Sequence, residues 1–127
     1  MAYRLHHLHI ICKDLEKMIT FFTETLEAKL VRRQKFGTAD GASLDLQGTT
    51  VNIRVSREDE EMAGDASQLR YGYDHIGLQV EDIETTFTEL QAQGFKFLVP
   101  PTDLPNLKMA FFKGPEDITI ELVQPLS

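Results

Sequence analysis

Residues 5–12 fall into two alternating sets, with Leu5, His7, His9 and Ile11 in one and His6, Leu8, Ile10 and Cys12 in the other. A period of two is that of a strand with unlike faces. At Asp14 the period changes. Leu15, Met18, Ile19, Phe22 and Leu26 recur at helical spacing, and the Asp14 carboxylate suits the N-cap, where it can accept from the unpaired N–H groups of a first turn. Three β-type runs follow at residues 29–32, 42–46 and 50–55, with Gly48 in the turn between the last two. The pattern predicts a strand, a helix and three further strands.

The second half of the chain repeats this order. His75 to Glu84 reads His-Ile-Gly-Leu-Gln-Val-Glu-Asp-Ile-Glu, against His-Leu-His-Ile-Ile-Cys-Lys-Asp-Leu-Glu from His7 to Glu16, so His, Asp and Glu recur at the same offsets without a gap. Asp82 is the second cap, Ile83, Phe87 and Leu90 form the second stripe, and Gly94 is placed to stop the helix. Strand runs then follow at residues 96–99, 107–113 and 118–123, with Gly114-Pro115 as turn punctuation. The expected fold is therefore α+β, two tandem βαβββ modules at about residues 3–56 and 71–125. Between them, residues 57–68, opening with Arg57-Glu58-Asp59-Glu60-Glu61, read as a solvated acidic linker.

Length and composition narrow the setting. At 127 residues there is room for one compact domain, and 42% hydrophobic with 26% charged residues excludes disordered and collagen-like chains. A net charge of −7 works against a nucleic-acid partner. No apolar run approaches the ~20 residues of a membrane helix, and the first residues lack the apolar core of a signal peptide. The single cysteine, Cys12, cannot form an intrachain disulfide, which fits a reducing compartment. A cytoplasmic protein with no membrane partner is expected.

The tandem modules, each opening on a His-bearing strand followed by Asp-Leu-Glu or Asp-Ile-Glu, resemble the vicinal oxygen chelate superfamily. It includes glyoxalase I, methylmalonyl-CoA epimerase, extradiol dioxygenases and the bleomycin- and fosfomycin-resistance proteins. The pieces that carry the resemblance are residues 7–16, Tyr73-Asp74-His75-Ile76-Gly77-Leu78 and Ile120-Glu121-Leu122. It implies that each module is a curved half-sheet, that the two enclose a cavity holding one divalent metal ion, and that the chain forms a homodimer. Carried over by position, the metal ligands fall on His7, His75 and Glu121. The fourth ligand position falls on Asn52, where the glyoxalase pattern has Glu or Gln.

Strand alternation is consistent with that carry-over. In residues 118–123, Ile118, Ile120 and Leu122 share one face and Glu121 takes the other; in residues 51–55, Asn52 and Arg54 fall together, so the repeat maps Glu121 onto Asn52. A half-buried strand glutamate needs a partner to offset desolvation. Two imidazoles and a carboxylate suit Zn, Ni, Co, Mn or Fe(II) alike. His9, on the face of His7, is a candidate to bind substrate or to serve as an alternative ligand, while His6 reads as packing or pocket-lining. Asn52 offers a neutral amide, and Arg54 offers a fork of donors to a substrate carboxylate or phosphate or else is an exposed edge residue. Cys12, Phe95, Phe97, Phe111 and Phe112 read as core.

The resemblance implies a lyase or isomerase of glyoxalase I or epimerase type: the metal chelates vicinal oxygens of a small oxo or thioester substrate and stabilises an enediolate, and Glu121 moves the proton. Two other readings stay open. The set His7, His75 and Glu121 is also that of an Fe(II) extradiol-type dioxygenase, and a non-catalytic drug-binding protein would share the fold, although such proteins typically lack the histidine ligands and line the cavity with aromatics.

Overall fold

A computed structural model of the protein describes residues 2–60 and 72–126. The chain divides into two compact units, Met1–Ala63 and Gly64–Ser127. In the first, strand β1 (His7–Cys12) leads into helix α1 (Leu15–Thr20), followed by β2 (Lys29–Phe36), β3 (Ala39–Leu46) and β4 (Thr49–Val55). The sheet order is β1-β4-β3-β2, with β1 parallel to β4 and the other pairs antiparallel. The second unit has β5 (Ile76–Gln79), α2 (Ile83–Ala92), β6 (Phe97–Asp103), β7 (Leu107–Lys113) and β8 (Thr119–Pro125), in the corresponding order β5-β8-β7-β6. This is the tandem βαβββ arrangement that the repeat predicts.

Both helices start where the sequence places their caps. Asp14 accepts from the Lys17 N–H at 3.1 Å, and Asp82 from the Thr85 N–H at 3.2 Å. Helix α2 ends at Gly94, whose φ of +96° a side chain would oppose, and the turn closes with Phe95 N–H on the Leu90 carbonyl at 3.0 Å. Helix α1 widens at Phe21–Thr25 into a π-type turn, with Leu26 N–H on the Phe21 carbonyl at 3.1 Å, which leaves both Phe21 and Phe22 buried.

One face of each sheet packs on its helix. In the first unit Cys12, Ala42, Leu44, Val51 and Ile53 are buried with Met18, Ile19 and Phe22. In the second, Ala110, Phe112, Ile120 and Leu122 are buried with Ile83 and Leu90, and the Phe112 ring meets Phe95 at 5.5 Å and Phe97 at 5.2 Å. The opposite face carries the polar residues named above as site candidates.

Several elements depart from the sequence pattern. Strand β1 begins at His7, leaving Leu5 exposed before it. Strand β2 runs on to Phe36 and β3 starts at Ala39, because the polar residues of this hairpin are paired: Arg33 forks Glu16 with two contacts of 2.7 Å, Gln34 donates to Ser43, and Lys35 meets Asp40 at 2.9 Å. Strand β6 continues through Pro100 and Pro101 to Asp103, which an edge strand tolerates because one row of its N–H positions needs no partner. The start of the expected linker is not free chain, since Glu60 is held by Arg54; residues 61–68 lie outside the described residues. Among the described residues no helix is long and apolar enough to cross a membrane.

Candidate metal and substrate site

In the second unit, sheet register brings three side chains onto the face away from α2. Glu121 on β8 lies opposite Gly77 of β5 on one side and Phe111 of β7 on the other. His75 stands two residues before Gly77 and so shares its face. Its Nε2 lies 3.5 Å from Glu121 Oε1, its Nδ1 lies 2.7 Å from Asp74 Oδ2, and its ring meets Phe111 edge-on with centroids 5.1 Å apart. The Asp74 carboxylate accepts the Nδ1–H, which orients the ring and turns Nε2 toward Glu121.

Nε2 and a carboxylate oxygen so placed repel unless a proton or a cation lies between them. Donors bound to one ion at about 2.0–2.2 Å, at tetrahedral to octahedral angles, stand roughly 2.8–3.6 Å apart, a range that includes the spacing found here. His75 and Glu121 therefore fit two ligands of a divalent metal. With side chains 31% and 19% exposed, they are partly withdrawn from water yet open to a ligand. Among the described residues, no group of three or more His, Cys, Asp or Glu is placed to hold a metal ion.

In the first unit, His7 is exposed at the start of β1, its Nδ1 2.9 Å from His6 Nδ1. His9, on the same face, packs on Phe36 with centroids 4.7 Å apart. Gly41 permits this seat: a Cβ there would lie 2.6 Å from the Phe36 ring and 2.4 Å from the Ile53 carbonyl oxygen. His9 is pushed below its ordinary pKa, first by burial and then by the charges of Arg54, His7 and Arg57.

Asn52 sits between His9 of β1 and Ser43 of β3 in register. Its Oδ1 accepts the Ser43 hydroxyl at 2.6 Å, and Ser43 Oγ accepts from Gln34 Nε2. Arg54, with a side chain 10% exposed, makes two contacts with Glu60, at 2.7 and 2.6 Å, and a third to the Val55 carbonyl at 3.1 Å. The Arg54 hydrogen bonds, joined by the Arg57 N–H, hold the Glu60 carboxyl down to a pKa of about 2. The donor fork that the sequence offers to a substrate anion is thus met by the chain's own carboxylate.

Several residues of this face are not singled out by the sequence pattern. Phe111, placed with the core, stands on the Glu121 side, which alternation with buried Ala110 and Phe112 signals. Ser43, a polar residue between apolar Ala42 and Leu44, carries the same signal. Asp74 is next to His75 in the motif of the second module, and its role emerges only from the contact between the two. Nothing in the local pattern marks Gln34, Phe36 or Glu60, whose partners come from other strands or a turn.

The chain belongs to the Glyoxalase/Bleomycin resistance protein/Dioxygenase superfamily, whose pattern it matches over residues 4–122. It is 25% identical over 131 residues to a probable lactoylglutathione lyase of Synechocystis sp., with 97% of this chain and 96% of that one covered. Its fold is that of a glyoxylase/bleomycin resistance protein/dioxygenase domain from Frankia sp. EAN1pec, with a TM-score of 0.82 at 23% identity over 100% of this chain and 95% of that one. A similar fold is seen in the fosfomycin resistance protein FosX of Listeria monocytogenes, determined with Mn(II) and sulfate, with a TM-score of 0.72 at 21% identity over 99% of this chain and 95% of that one.

Proposed function

We propose that the protein is a divalent-metal-dependent lyase or isomerase of glyoxalase I or epimerase type, acting on a small substrate with adjacent oxygens. The observation that carries this reading is the His75–Glu121 pair, Nε2 and a carboxylate oxygen 3.5 Å apart, with the imidazole oriented by Asp74. Family membership and the lactoylglutathione lyase name of the Synechocystis relative support it. His7, His75 and Glu121 are the residues that would hold the ion, which is Zn, Ni, Co, Mn or Fe(II). When bound, it supplies Lewis-acid polarisation of two adjacent substrate oxygens.

The chain's own residues supply the rest. Glu121 Oε1 takes the proton from the carbon beside the substrate carbonyl and returns it to the neighbouring carbon. Phe111 stands opposite Glu121 on β7 and meets the His75 ring edge-on, walling one side of the carboxylate. Asp74 holds the His75 ring so that Nε2 keeps its direction through the cycle. His9, seated on Phe36 and favoured in its neutral form, lines the first unit's open face with Asn52 and contributes to substrate binding. Arg54, if it meets a substrate anion, must exchange Glu60 for it. A cytoplasmic homodimer is part of the proposal, and light scattering across a tenfold dilution would reject it on finding only monomer.

A second reading is an Fe(II) extradiol-type dioxygenase. It is favoured by one observation, the commitment of Asn52 Oδ1 to Ser43, which suits a site with three protein ligands. Activity and metal content separate the two. Protein purified without chelator is expected to carry a divalent metal and to convert hemithioacetals of 2-oxoaldehydes with glutathione, without oxygen uptake on catechols. Oxygen uptake with no lyase activity would favour the second reading, and absence of metal and of both activities would reject both.

A further inference from the structure

We propose that Asn52 acts as a hydrogen-bond donor to a substrate oxygen and not as an oxygen ligand, its amide turned outward by Gln34 and Ser43; the substrate role rests on the function proposed above. The direction of the hydrogen bonds decides this. Gln34 Nε2 can only donate, so it occupies a lone pair of Ser43 Oγ and leaves that hydroxyl to give its proton onward. The proton goes to Asn52 Oδ1 at 2.6 Å. Ser43 is 4% exposed, so this order cannot be replaced by bonds to bulk water without cost.

With Oδ1 engaged, the free end of the Asn52 side chain is Nδ2. Among the described residues no acceptor is assigned to it, and it is not among the buried polar atoms left without a partner. It therefore presents N–H groups on the open face, one residue position across from His9. Gln34 and Ser43 are positioning residues, since they set which end of the amide points out. The consequence is a specificity rule. Where the equivalent Glu121 offers negative charge, this position offers a donor, so it selects a substrate whose oxygen accepts, such as a carbonyl, a carboxylate or a developing oxyanion, and disfavours one that must donate a hydroxyl proton there.

The direct test is the side-chain amide spectrum of 15N-labelled protein, wild type against Ser43→Ala, with unchanged backbone resonances elsewhere confirming the fold. The Gln34 Nε2 protons lose their acceptor and should move upfield, whereas the Asn52 Nδ2 protons, which never donated to Ser43, should stay. Upfield movement of the Asn52 protons, with or without those of Gln34, or movement of neither pair, would overturn the proposal. The second arm uses Asn52→Ala. Its Mn(II) affinity in the apo-protein should stay within about twofold of wild type, while KM for the glutathione hemithioacetal rises roughly three- to tenfold, the worth of one hydrogen bond, with less effect on kcat. Loss of Mn(II) affinity in Asn52→Ala would mean that the amide is a ligand. If wild type neither binds Mn(II) nor turns over the hemithioacetal, the proposed function fails while the amide spectrum still decides which way Asn52 points.

Discussion

The two units share a topology and a strand register, yet their open faces carry opposite chemistry. At one position the second unit has Glu121 beside an aromatic wall, Phe111, and a histidine whose Nε2 faces it. At the equivalent position the first unit has Asn52, whose oxygen accepts from Ser43, itself an acceptor from Gln34, while His7 turns its Nδ1 to His6. The Glu121 carboxylate faces an imidazole nitrogen at 3.5 Å, a spacing that suits a shared cation. A neutral polar chain satisfies an amide completely on one side and leaves it a donor on the other. The scaffold is thus shared while the neighbours of Asn52 and Glu121 differ.

The scaffold half of this comparison is broken most strongly in the core. Ile53→Ala and Leu122→Ala each remove a side chain buried on the helix-covered face, and each should cost about 2–5 kcal/mol, read from the denaturant midpoint. A much smaller loss at one of them would show that the two cores are not equivalently packed. At the site, Asn52→Glu should make the units alike. The added carboxylate should raise affinity of the apo-protein for Zn(II) or Mn(II) by about tenfold, roughly 1.4 kcal/mol. Unchanged affinity would mean that Asn52 stands away from the ion.

Two pH effects are specific to the first unit. The folded state favours ionised Glu60, so its contribution to stability is complete above pH 4.5 and is lost as pH falls toward about 2. Glu60→Gln should flatten thermal stability against pH across that window and leave the higher range alone. The folded state also favours neutral His9, so the unfolded chain takes up more protons below pH 6.5 and stability falls as pH falls. His9→Gln should remove this smaller slope, and an unaltered slope would locate its origin elsewhere.

Much of this was legible because periodicity and capping are local. Alternation along β1, β4 and β8 and the carboxylates of Asp14 and Asp82 give elements, faces and the mapping of Asn52 onto Glu121. What stayed hidden is tertiary. Residues 33–36 look like loop until Glu16, Ser43 and Asp40 are beside them. Pro100 and Pro101 argue against a strand unless it is known to be an edge. Arg54 reads as a free anion receptor because its partner, Glu60, lies past the strand in a stretch whose charge suggests solvent. The direction of the Asn52 amide depends on Gln34, on the far edge strand, and no local pattern encodes it.

The central claim, that the unit carrying Glu121 holds the metal more firmly than Asn52 does, is tested most directly by metal content per chain in protein purified without chelator. His7→Ala, His75→Ala and Glu121→Ala should each lose most of the divalent metal with the fold intact, since all three side chains lie on the face away from the core. Asn52→Ala should retain it. Full metal content in the three ligand variants, or loss in Asn52→Ala equal to that in Glu121→Ala, would contradict the account.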